Sequence, residues 1–330
     1  MRALLRSHCL TPRIKFMKLI KQEKIFENAP FEQCHASTII SCGNDTKICA
    51  WFGGTKEGEN DVRIWYSRQS EDVWSVPKAI PSVADAPHWN PVLFETNAGE
   101  ITLFYKVGPS VPQWKTFFTV TRDGGSTWST PKELIEGDKS DGRGPVKNKP
   151  IRTANNLILA PASTERGMWR CFVDRFDGKK WEKAHIPVSP EAESTLHMIQ
   201  PSLWEDKLGE IHALMRTRNG YIYRSDSQDG GKTWCKAYPI AIHNNNSGLD
   251  CVQTSSGLIA LVCNPIPPHM GRTPLSLMIS EDNGEHFKKV LDLETAAGEY
   301  SYPAVISEAN KLFVTYTYDR KSIVFAEFEI

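Results

Sequence analysis

Short apolar segments alternate with polar turns along nearly the whole chain. Residues 47–52, 101–106 and 211–216 are examples, and a turn that contains glycine follows each of them closely. Short apolar segments bounded by such turns predict β-strands. No segment has the length and the spacing of apolar positions that predict a long amphipathic helix. The pattern therefore predicts an all-β protein.

The turns carry a repeated motif, Ser-x-Asp-x-Gly-x-Thr-Trp, which we call the box. Residues 227–234 fit it fully, and the other copies, in decreasing order of fit, are 121–128, 280–287, 175–181 and 67–74. In such a turn glycine adopts a positive φ, while the Ser, Thr and Asp side chains bind local backbone groups. The closing aromatic residues recur every 53 or 54 residues, at Trp74, Trp128, Trp181, Trp234 and Phe287. So constant a period predicts a repeated structural unit.

A second repeat lies between the boxes and in register with them. Each unit opens with a short segment, often X-Pro-apolar, and the six openings are 34–39, 89–93, 148–151, 199–203, 247–250 and 302–305. Proline suits the first residue of a strand, where no ladder donor is lost. Each opening leads through two further strands into a box hairpin, which gives four strands in each unit. Six such units predict a six-bladed β-propeller. A pair of β-sandwiches is the competing fold, but it gives no reason for the period.

The two ends of the chain are expected to meet in the last blade. The sixth unit runs from 302 to 330 without a box, and we expect a strand near 23–31 to complete it and to cover its exposed edge. We therefore assign residues 21–330 to the propeller. Residues 1–20 carry several Lys and Arg and no acid, and we expect an unstructured basic arm, with Met17 as an alternative start.

Composition excludes several classes of function. The net charge is zero, which does not favour binding to nucleic acid or to an anionic membrane surface. The eight cysteines lack zinc spacing and are expected to be reduced thiols. There is no phosphate-binding or dinucleotide loop, so we predict no metal and no cofactor. The N-terminal apolar run is too short for a signal peptide, and no run is long enough to span a membrane, which favours a cytoplasmic location.

The six openings should surround one end of the central channel, which we call the mouth. Polar and aromatic residues are frequent there and on the loops after the second strands. The proposed binding residues from this set are Trp89, Asn90, Lys149, Gln200, Asn246, Asn264 and Arg320. Aromatic rings stack on sugars, amides bind hydroxyl groups, and Arg binds carboxylates bidentately. The mouth therefore indicates an acidic glycan or oligosaccharide as the partner.

The boxes and the six-unit layout resemble the sialidase (neuraminidase) superfamily, specifically its Asp-box, BNR-repeat members, over about residues 30–330. Segments 212–219 and 271–275 resemble the sialidase strands that carry the second and third arginines of a carboxylate-binding triad, which implies this role for Arg216 and Arg272. Segment 299–302 resembles the Tyr-Ser motif that holds the nucleophile. The acidic loop 57–61 precedes the first box, where sialidases carry the acid/base aspartate, which implies Glu57 or Asp61.

The resemblance implies a retaining exo-glycosidase that acts on a terminal acidic sugar, a sialic acid or a related ulosonic or uronic acid. Sialidases use a tyrosine nucleophile. The Tyr-Ser match favours Tyr300, whereas the internal repeat favours Tyr302. Because the two residues are two apart on an extended segment, we expect both to point to the same side.

Two positions depart from the sialidase pattern. The place of the first triad arginine reads Cys34-His35-Ala36-Ser37, and Gln200 stands where sialidases carry the glutamate that activates tyrosine. His35, with a usual pKa near 6.5, could serve as acid or base instead. Other acids that could replace the glutamate are Glu165, Glu205 and Glu299. Two alternatives therefore stay open: a uronate lyase on the same scaffold, and a propeller that binds carbohydrate without catalysis.

Overall fold

The fold was analysed in a computed structural model, which describes residues 17–43, 45–140 and 142–330. In chain order the strands are β1 (Lys18–Lys24), β2 (Gln33–Ser41), β3 (Lys47–Gly54), β4 (Arg63–Ser70), β5 (Val73–Trp74), β6 (Lys78–Ala79), β7 (His88–Asn97), β8 (Glu100–Val107), β9 (Lys115–Thr121), β10 (Lys132–Glu133), β11 (Ile151–Arg152), β12 (Ile158–Thr164), β13 (Arg170–Phe176), β14 (Trp181–His185), β15 (Met198–Glu205), β16 (Ile211–Thr217), β17 (Tyr221–Ser227), β18 (Tyr238–His243), β19 (Asp250–Gln253), β20 (Ile259–Cys263), β21 (Leu275–Ser280), β22 (Lys288–Glu294), β23 (Tyr300–Glu308), β24 (Lys311–Tyr318) and β25 (Ser322–Glu329). Two short 3-10 helices, Val111–Gln113 and Pro190–Ala192, lie in loops. Within the described ranges, no helix is long and apolar enough to cross a membrane.

The strands form six antiparallel sheets, which are the blades of the predicted propeller. Blades one to five are β2–β6, β7–β10, β11–β14, β15–β18 and β19–β22, and blade six is β23–β25 with β1. The first strands of successive blades contact each other around the ring, as β2 does with β7 and β23, and β19 with β15 and β23. The six-bladed β-propeller is therefore confirmed, and the pair of sandwiches is wrong.

The ring closes through the two ends of the chain. Strand β1 pairs antiparallel with β25, from Lys18 opposite Glu329 to Lys24 opposite Val324. The predicted closure is confirmed, but the strand begins earlier than the expected segment 23–31 and shares only Glu23 and Lys24 with it. Residues 25–31, which include Asn28 and Pro30, lie in a turn-like stretch outside the strands. Residues 18–20, expected in the arm, belong to this strand. Residues 1–16 of the predicted arm lie outside the described residues.

Apolar side chains pack mainly between blades rather than inside one sheet. Leu277, Val314 and Phe328 belong to a cluster between blades five and six, and Val173 and Leu203 to one between blades three and four. A blade therefore depends on its neighbours to bury its faces, and closure of the ring leaves no blade with an uncovered face.

The boxes form the hairpins between third and fourth strands. Because the four strands alternate in direction, these hairpins lie at the end of the ring opposite the mouth. In the fullest copy, Ser227 Oγ donates to Asp229 Oδ1 at 2.9 Å, and Gly231 N donates to Ser227 Oγ at 2.9 Å. Thr233 donates its N–H and its hydroxyl to Asp229 at 2.9 and 2.7 Å. These contacts fix the turn and play no part at the mouth.

Replacement of Asp229 by Ala is expected to lower the free energy of unfolding by about 1–2 kcal/mol, because several hydrogen bonds to its carboxylate are lost. Partial burial raises the pKa of Asp229, but the hydrogen bonds from Thr233, Ser227 and Lys232 outweigh it and lower the pKa to about 2. The carboxylate therefore stabilises the fold above about pH 4, and this contribution disappears as the pH falls toward 2. Urea unfolding of both proteins at pH 7 and pH 3 measures the difference.

The control is Asp85→Ala, which removes an exposed aspartate from a loop. It should leave the free energy of unfolding within about 0.5 kcal/mol of the wild type. A difference for Asp229→Ala that is the same at pH 7 and pH 3 would contradict the assigned role of the charged carboxylate.

Candidate active site

A left-handed residue lies within four residues of the start of the first strand of every blade. The six residues and their φ angles are Ala36 (59°), Asn90 (42°), Lys147 (70°), Gln200 (54°), Asn246 (66°) and Tyr302 (51°). In blades one, two, four and six the pairing register shifts at this residue, which is the mark of a β-bulge. A bulge redirects the side chains around it, and such backbone strain is concentrated at functional sites. This repeated feature brings five polar side chains to the mouth.

Tyr302 lies at the centre of this group. Its hydroxyl accepts a hydrogen bond from Arg216 Nη1 at 2.7 Å, and Gln200 Nε2 lies 3.5 Å from the same oxygen. Its ring centroid is 4.1 Å from that of His35. The guanidinium carbons of Arg216 and Arg272 are 5.5 and 5.7 Å from the ring centroid. Tyr302 is thus a phenol surrounded by positive charge.

Tyr300 lies elsewhere. It is 1% exposed in the cluster between blades five and six, and its ring packs edge-on against Tyr318 with centroids 5.0 Å apart. Burial, with a hydrogen bond to Tyr318, raises the pKa of Tyr300 to about 12. The expectation that Tyr300 and Tyr302 point to the same side is wrong, because the left-handed backbone at Tyr302 interrupts the alternation of the strand.

Arg216 is fixed by polar neighbours from blades four, five and six. It lies on β16, its Nε donates to Asn246 Oδ1 at 2.9 Å, and its Nη1 donates to Gln200 Oε1 at 3.1 Å as well as to Tyr302. Within the described residues, Nη2 of Arg216 has no hydrogen-bond partner. One edge of this guanidinium is therefore available to a ligand.

Arg272 and Arg320 share one carboxylate, that of Glu299. Arg272 Nη1 donates to Glu299 Oε1 at 2.7 Å and to Ser301 Oγ at 3.1 Å. Arg320, on the turn between β24 and β25, donates its Nε to both Glu299 oxygens at 3.1 Å and its Nη1 to Glu57 Oε2 at 2.6 Å. Guanidinium groups from blades four, five and six thus meet at the mouth.

The two candidate acids of loop 57–61, Glu57 and Asp61, take different positions. Glu57 contacts Arg320 and lines a crevice with it and with His35. Asp61 Oδ2 instead accepts the N–H and the hydroxyl of Thr55, both at 2.7 Å, and the carboxylate lies toward a separate pocket on blade one. Glu57 is therefore the acid of this loop that contacts the arginines.

Among the other acids, Glu165 and Glu299 lie at the mouth and Glu205 does not. Burial raises the pKa of Glu165, which the charges of Arg216 and Arg218 oppose. Glu205 accepts the N–H of Ala154 at 2.8 Å, at the end of the ring away from the mouth. Glu165 lies on the loop after β12, and Glu57 lies on the equivalent loop after β3. The repeat itself is therefore the sequence signal that places Glu165 at the mouth.

His35 lies buried against Tyr302 at 1% exposure. Neither ring nitrogen has a hydrogen-bond partner within the described part of the chain. Burial, and then the charges of Arg320, Arg272 and Arg216, hold the pKa of His35 well below its usual 6.5. The imidazole is therefore neutral at pH 7 and lacks the second ring proton that a general acid would donate.

Two of the predicted binding residues serve the scaffold. Lys149 Nζ donates to Asp250 Oδ2 and to the carbonyl of Cys251, both at 2.9 Å, in a polar cluster between blades three and five. Asn264 Nδ2 donates to the carbonyls of Arg272, Pro274 and Tyr300 at 2.8–3.0 Å. Lys149 thus ties blades together, and Asn264 holds the segment that carries Arg272.

Blade two contributes Trp89 and Asn90. Trp89 is buried against Phe52 and Trp114, and its Nε1 donates to the carbonyl of Gly108 at 3.2 Å. Its ring therefore forms part of the wall below the mouth rather than an open stacking surface. Asn90 lies on its left-handed bulge with 6% exposure.

Lys147 adds a further cation beneath the mouth. Its Nζ donates to Asn148 Oδ1 at 2.7 Å, to the carbonyl of Leu249 at 2.8 Å and to the carbonyl of Pro303. Burial lowers the pKa of Lys147 to about 7, so its charge changes near neutral pH. This residue links blade three to blades five and six directly below Tyr302.

One group of side chains has the composition of a metal site. Ligand atoms of Asp206, Glu210 and His212 lie within 4.8 Å of one another at the box end of blade four. His212 Nε2 and Nδ1 are 3.2 and 2.5 Å from Asp206 and Asp226, and Asn283 Nδ2 donates to Asp206 at 2.9 Å. Because these partners occupy the ligand atoms, we interpret the group as a polar contact between blades.

Comparison with solved structures shows the same fold in proteins of low sequence identity. A protein of unknown function from Dyadobacter fermentans is 16% identical over 96% of this chain and 100% of its own, with a TM-score of 0.76. The Hadza microbial sialidase Hz136 is 15% identical over 91% of this chain and 66% of its own, with a TM-score of 0.75. The NanB sialidase of Streptococcus pneumoniae is 12% identical over 93% and 70%, with a TM-score of 0.75. This chain thus spans about two thirds of the length of these two sialidases.

Comparison with curated proteins gave no significant match. The family model described as the BNR repeat-like domain matches residues 45–314, which cover blades two to five and parts of blades one and six. The chain therefore belongs to the BNR repeat-like domain family.

Proposed function

We propose that this protein is a retaining exo-glycosidase that removes a terminal acidic sugar, with Tyr302 as the nucleophile. The observation that carries the proposal is the position of the Tyr302 hydroxyl, 2.7 Å from Arg216 Nη1, in a mouth where three guanidinium groups meet. A sugar whose reacting carbon bears a carboxylate would repel a carboxylate nucleophile, whereas a phenol can approach it.

The arginines supply the binding energy for the sugar carboxylate. The free edge of Arg216 and the exposed parts of Arg272 and Arg320 can bind its two oxygens, and charge-assisted contacts of this kind are strong. Arg320 compensates for the arginine missing from segment 34–37. Its carbonyl accepts the N–H of Cys34 at 2.8 Å, and its side chain lines the crevice of His35.

Tyr302 loses its proton without the help of a neighbouring carboxylate, because the amide of Gln200 cannot accept a proton. The Tyr302 oxygen forms a bond to the anomeric carbon as the bond to the leaving oxygen breaks, and its proton passes to water at the open mouth. The guanidinium groups of Arg216 and Arg272 lie close to the ring and offset negative charge that develops on the oxygen during attack. Gln200 holds Arg216 in place through its carbonyl oxygen.

Glu57 is the acid that protonates the leaving oxygen. In the free protein it is paired with Arg320. The sugar carboxylate competes for Arg320 and releases the Glu57 carboxylate. The freed carboxylate takes up a proton from water at the mouth and then donates it to the leaving oxygen. In the second half of the reaction the Glu57 carboxylate takes a proton from water, whose oxygen attacks the anomeric carbon and frees Tyr302. Glu165, whose pKa burial raises, is suited to hydrogen-bond a sugar hydroxyl.

A uronate lyase is the second candidate, and the amide at Gln200 is the observation that favours it. In that reaction Tyr302 removes the proton next to the sugar carboxylate, the neighbouring C–O bond breaks, and a carbon–carbon double bond forms. The three arginines neutralise the charge that develops on the carboxylate. The unsaturated product absorbs ultraviolet light, whereas the product of hydrolysis does not.

Replacement of Tyr302 by Phe is expected to reduce kcat by about a thousandfold or more, because the attacking oxygen is removed. Turnover is measured with aryl glycosides of sialic, other ulosonic and uronic acids, by release of the aryl group and by absorbance of an unsaturated product. Tyr300→Phe is the matched control and should keep activity within a few-fold, because Tyr300 lies in the core. Full activity in Tyr302→Phe would refute the proposal.

Replacement of Arg320 by Met is expected to lower kcat/KM by about tenfold to a hundredfold, the loss for a charge-assisted hydrogen bond of about 1.5–3 kcal/mol. The loss should be much smaller on the methyl ester of the same substrate, which lacks the negative charge. Arg122→Met, which removes an exposed arginine, serves as the control. If Arg320→Met affects acid and ester equally, Arg320 does not bind the carboxylate.

A further inference from the structure

The bulges at the openings of blades four and six leave backbone carbonyls outside the strand ladders. The pairing register skips Gln200 and Pro201 on β15, and it skips Tyr302 and Pro303 on β23. A buried carbonyl that faces no partner strand needs a hydrogen-bond donor from elsewhere in the fold. Three of these four carbonyls accept from a single dipeptide of blade three, residues 147–148.

This dipeptide, which we call the bridge, crosses the centre of the ring. Lys147 Nζ donates to Asn148 Oδ1 at 2.7 Å. It also donates to the carbonyl of Leu249 at 2.8 Å and to that of Pro303. Asn148 Nδ2 donates to the carbonyls of residues 200–201, both at 3.0 Å. The bridge therefore connects blade three with blades four, five and six.

The segments that the bridge holds carry the residues that meet at the Tyr302 hydroxyl. Pro303 follows Tyr302 directly, and the side chain of Gln200 contacts both Arg216 and the Tyr302 oxygen. The opening of blade five carries Asn246, which accepts from Arg216 Nε at 2.9 Å. The backbone behind each of these contacts thus depends on the same two buried side chains.

The Lys147 side chain also lies close to the ring of Tyr302. A Cβ on Gly248 would lie 3.4 Å from Lys147 Cε and 3.4 Å from Tyr302 Cδ2, so both groups border this glycine. On the opposite side, the carbonyl of Tyr302 accepts from Ser37 Oγ of blade one at 3.4 Å. A movement of Lys147 therefore reaches Tyr302 through the carbonyl of Pro303 and through the packing around Gly248.

Only the charged form of Lys147 satisfies all three of its acceptors. An ammonium group has three N–H donors, whereas a neutral amine has two donors and a lone pair. The lone pair would face the oxygen of one acceptor, and a buried acceptor that loses its donor is unfavourable. Loss of the proton therefore breaks one of the three contacts that Lys147 makes.

The surroundings of Lys147 bring this change of charge close to neutral pH. The titratable and charged groups around it are Asp250, Lys149, Arg216, Cys251, His35 and Tyr302. Burial lowers the pKa of Lys147 to about 7, against the opposing charge of Asp250. Burial also raises the pKa of Cys251 to about 12 and holds that of His35 well below 6.5, so both groups stay neutral while Lys147 titrates.

We propose that Lys147 is a positioning residue for the mouth: its ammonium group holds the bulges that carry Tyr302 and Gln200, and transfer of its proton to water releases this hold. The role of Tyr302 as nucleophile rests on the function proposed above, whereas the hold on its backbone does not. The site is then correctly arranged at pH values below about 7 and loosens as the pH rises through this value.

The hold on Tyr302 is tested without turnover, by carbon NMR between pH 5.5 and 9 on protein labelled at lysine Cε and at the tyrosine rings. The two signals are identified by their absence from Lys147→Met and from Tyr302→Phe. The Lys147 signal should shift with a midpoint near pH 7, well below the pKa of about 10.4 of an exposed lysine, and the Tyr302 signal should shift with the same midpoint. A constant Lys147 signal, or a Tyr302 signal without this step, overturns the proposal.

Lys106→Met is the matched control. Burial lowers the pKa of Lys106 to about 7 as well, but its Nζ donates to Thr116 Oγ1 at 2.6 Å and to the carbonyl of Arg143 at 2.8 Å, not to the bulges. The step in the Tyr302 signal should persist in Lys106→Met and disappear in Lys147→Met. Lys147→Arg, which stays charged over this range, should also abolish the step and serves if Lys147→Met does not fold. A step that persists in both Lys147 variants contradicts the assignment.

Turnover provides a second measurement, in which kcat of the wild type is divided by kcat of Lys147→Met at each pH. The ratio should be about tenfold at pH 5.5 and fall to about one at pH 8.5, because both proteins then lack the charge. KM should change by less than about threefold, since a displaced nucleophile affects the chemical step more than binding. A ratio that is independent of pH contradicts the proposal. Absence of turnover in the wild type refutes the glycosidase, and the NMR result then decides on Lys147 alone.

Discussion

The left-handed residue at the opening of each first strand is the constraint on which the candidate site depends. Closure of six blades brings these residues together. A regular strand would direct their side chains between blades, whereas their positive φ angles turn these side chains toward the mouth. Tyr302 and Gln200 both occupy such positions, and Arg216 contacts both. A left-handed conformation costs a non-glycine residue of order 1–3 kcal/mol, so packing around the ring must maintain six of them.

The charges at the mouth are arranged for exchange with a ligand. Glu299 holds Arg272 and Arg320 side by side, and Glu57 occupies a further donor of Arg320. Without these acids the guanidinium groups would repel each other in a partly buried space. In the proposed mechanism a sugar carboxylate takes the place of Glu57, so that one event binds the substrate and frees the acid. The neutral His35 beneath Tyr302 adds no further charge to this group.

The sequence predicts the large-scale organisation well because a repeat period is a property of residue spacing. It gives the number of blades, the location of the box hairpins and the loops that reach the mouth. By sequence position, Gln200 matches the glutamate that activates the tyrosine of sialidases. The contact between Gln200 and the Tyr302 hydroxyl is consistent with that match. The choice between Tyr300 and Tyr302 needs the backbone angle at Tyr302, which tyrosine itself does not signal. The partners that hold Lys149 and Asp61 away from the arginines likewise depend on rotamers and loop paths that spacing does not define.

The central claim is that Tyr302 forms a bond to an acidic sugar held by the arginines. It is tested most directly by trapping with a fluorinated acidic glycosyl fluoride, in which the second fluorine slows breakdown of the intermediate more than its formation. Mass spectrometry of the digested protein should show one added sugar on the peptide that contains Tyr302, and no addition in Tyr302→Phe. Addition to Tyr300, Glu57 or Glu165, or steady turnover of the reagent without any labelled peptide, would contradict the account.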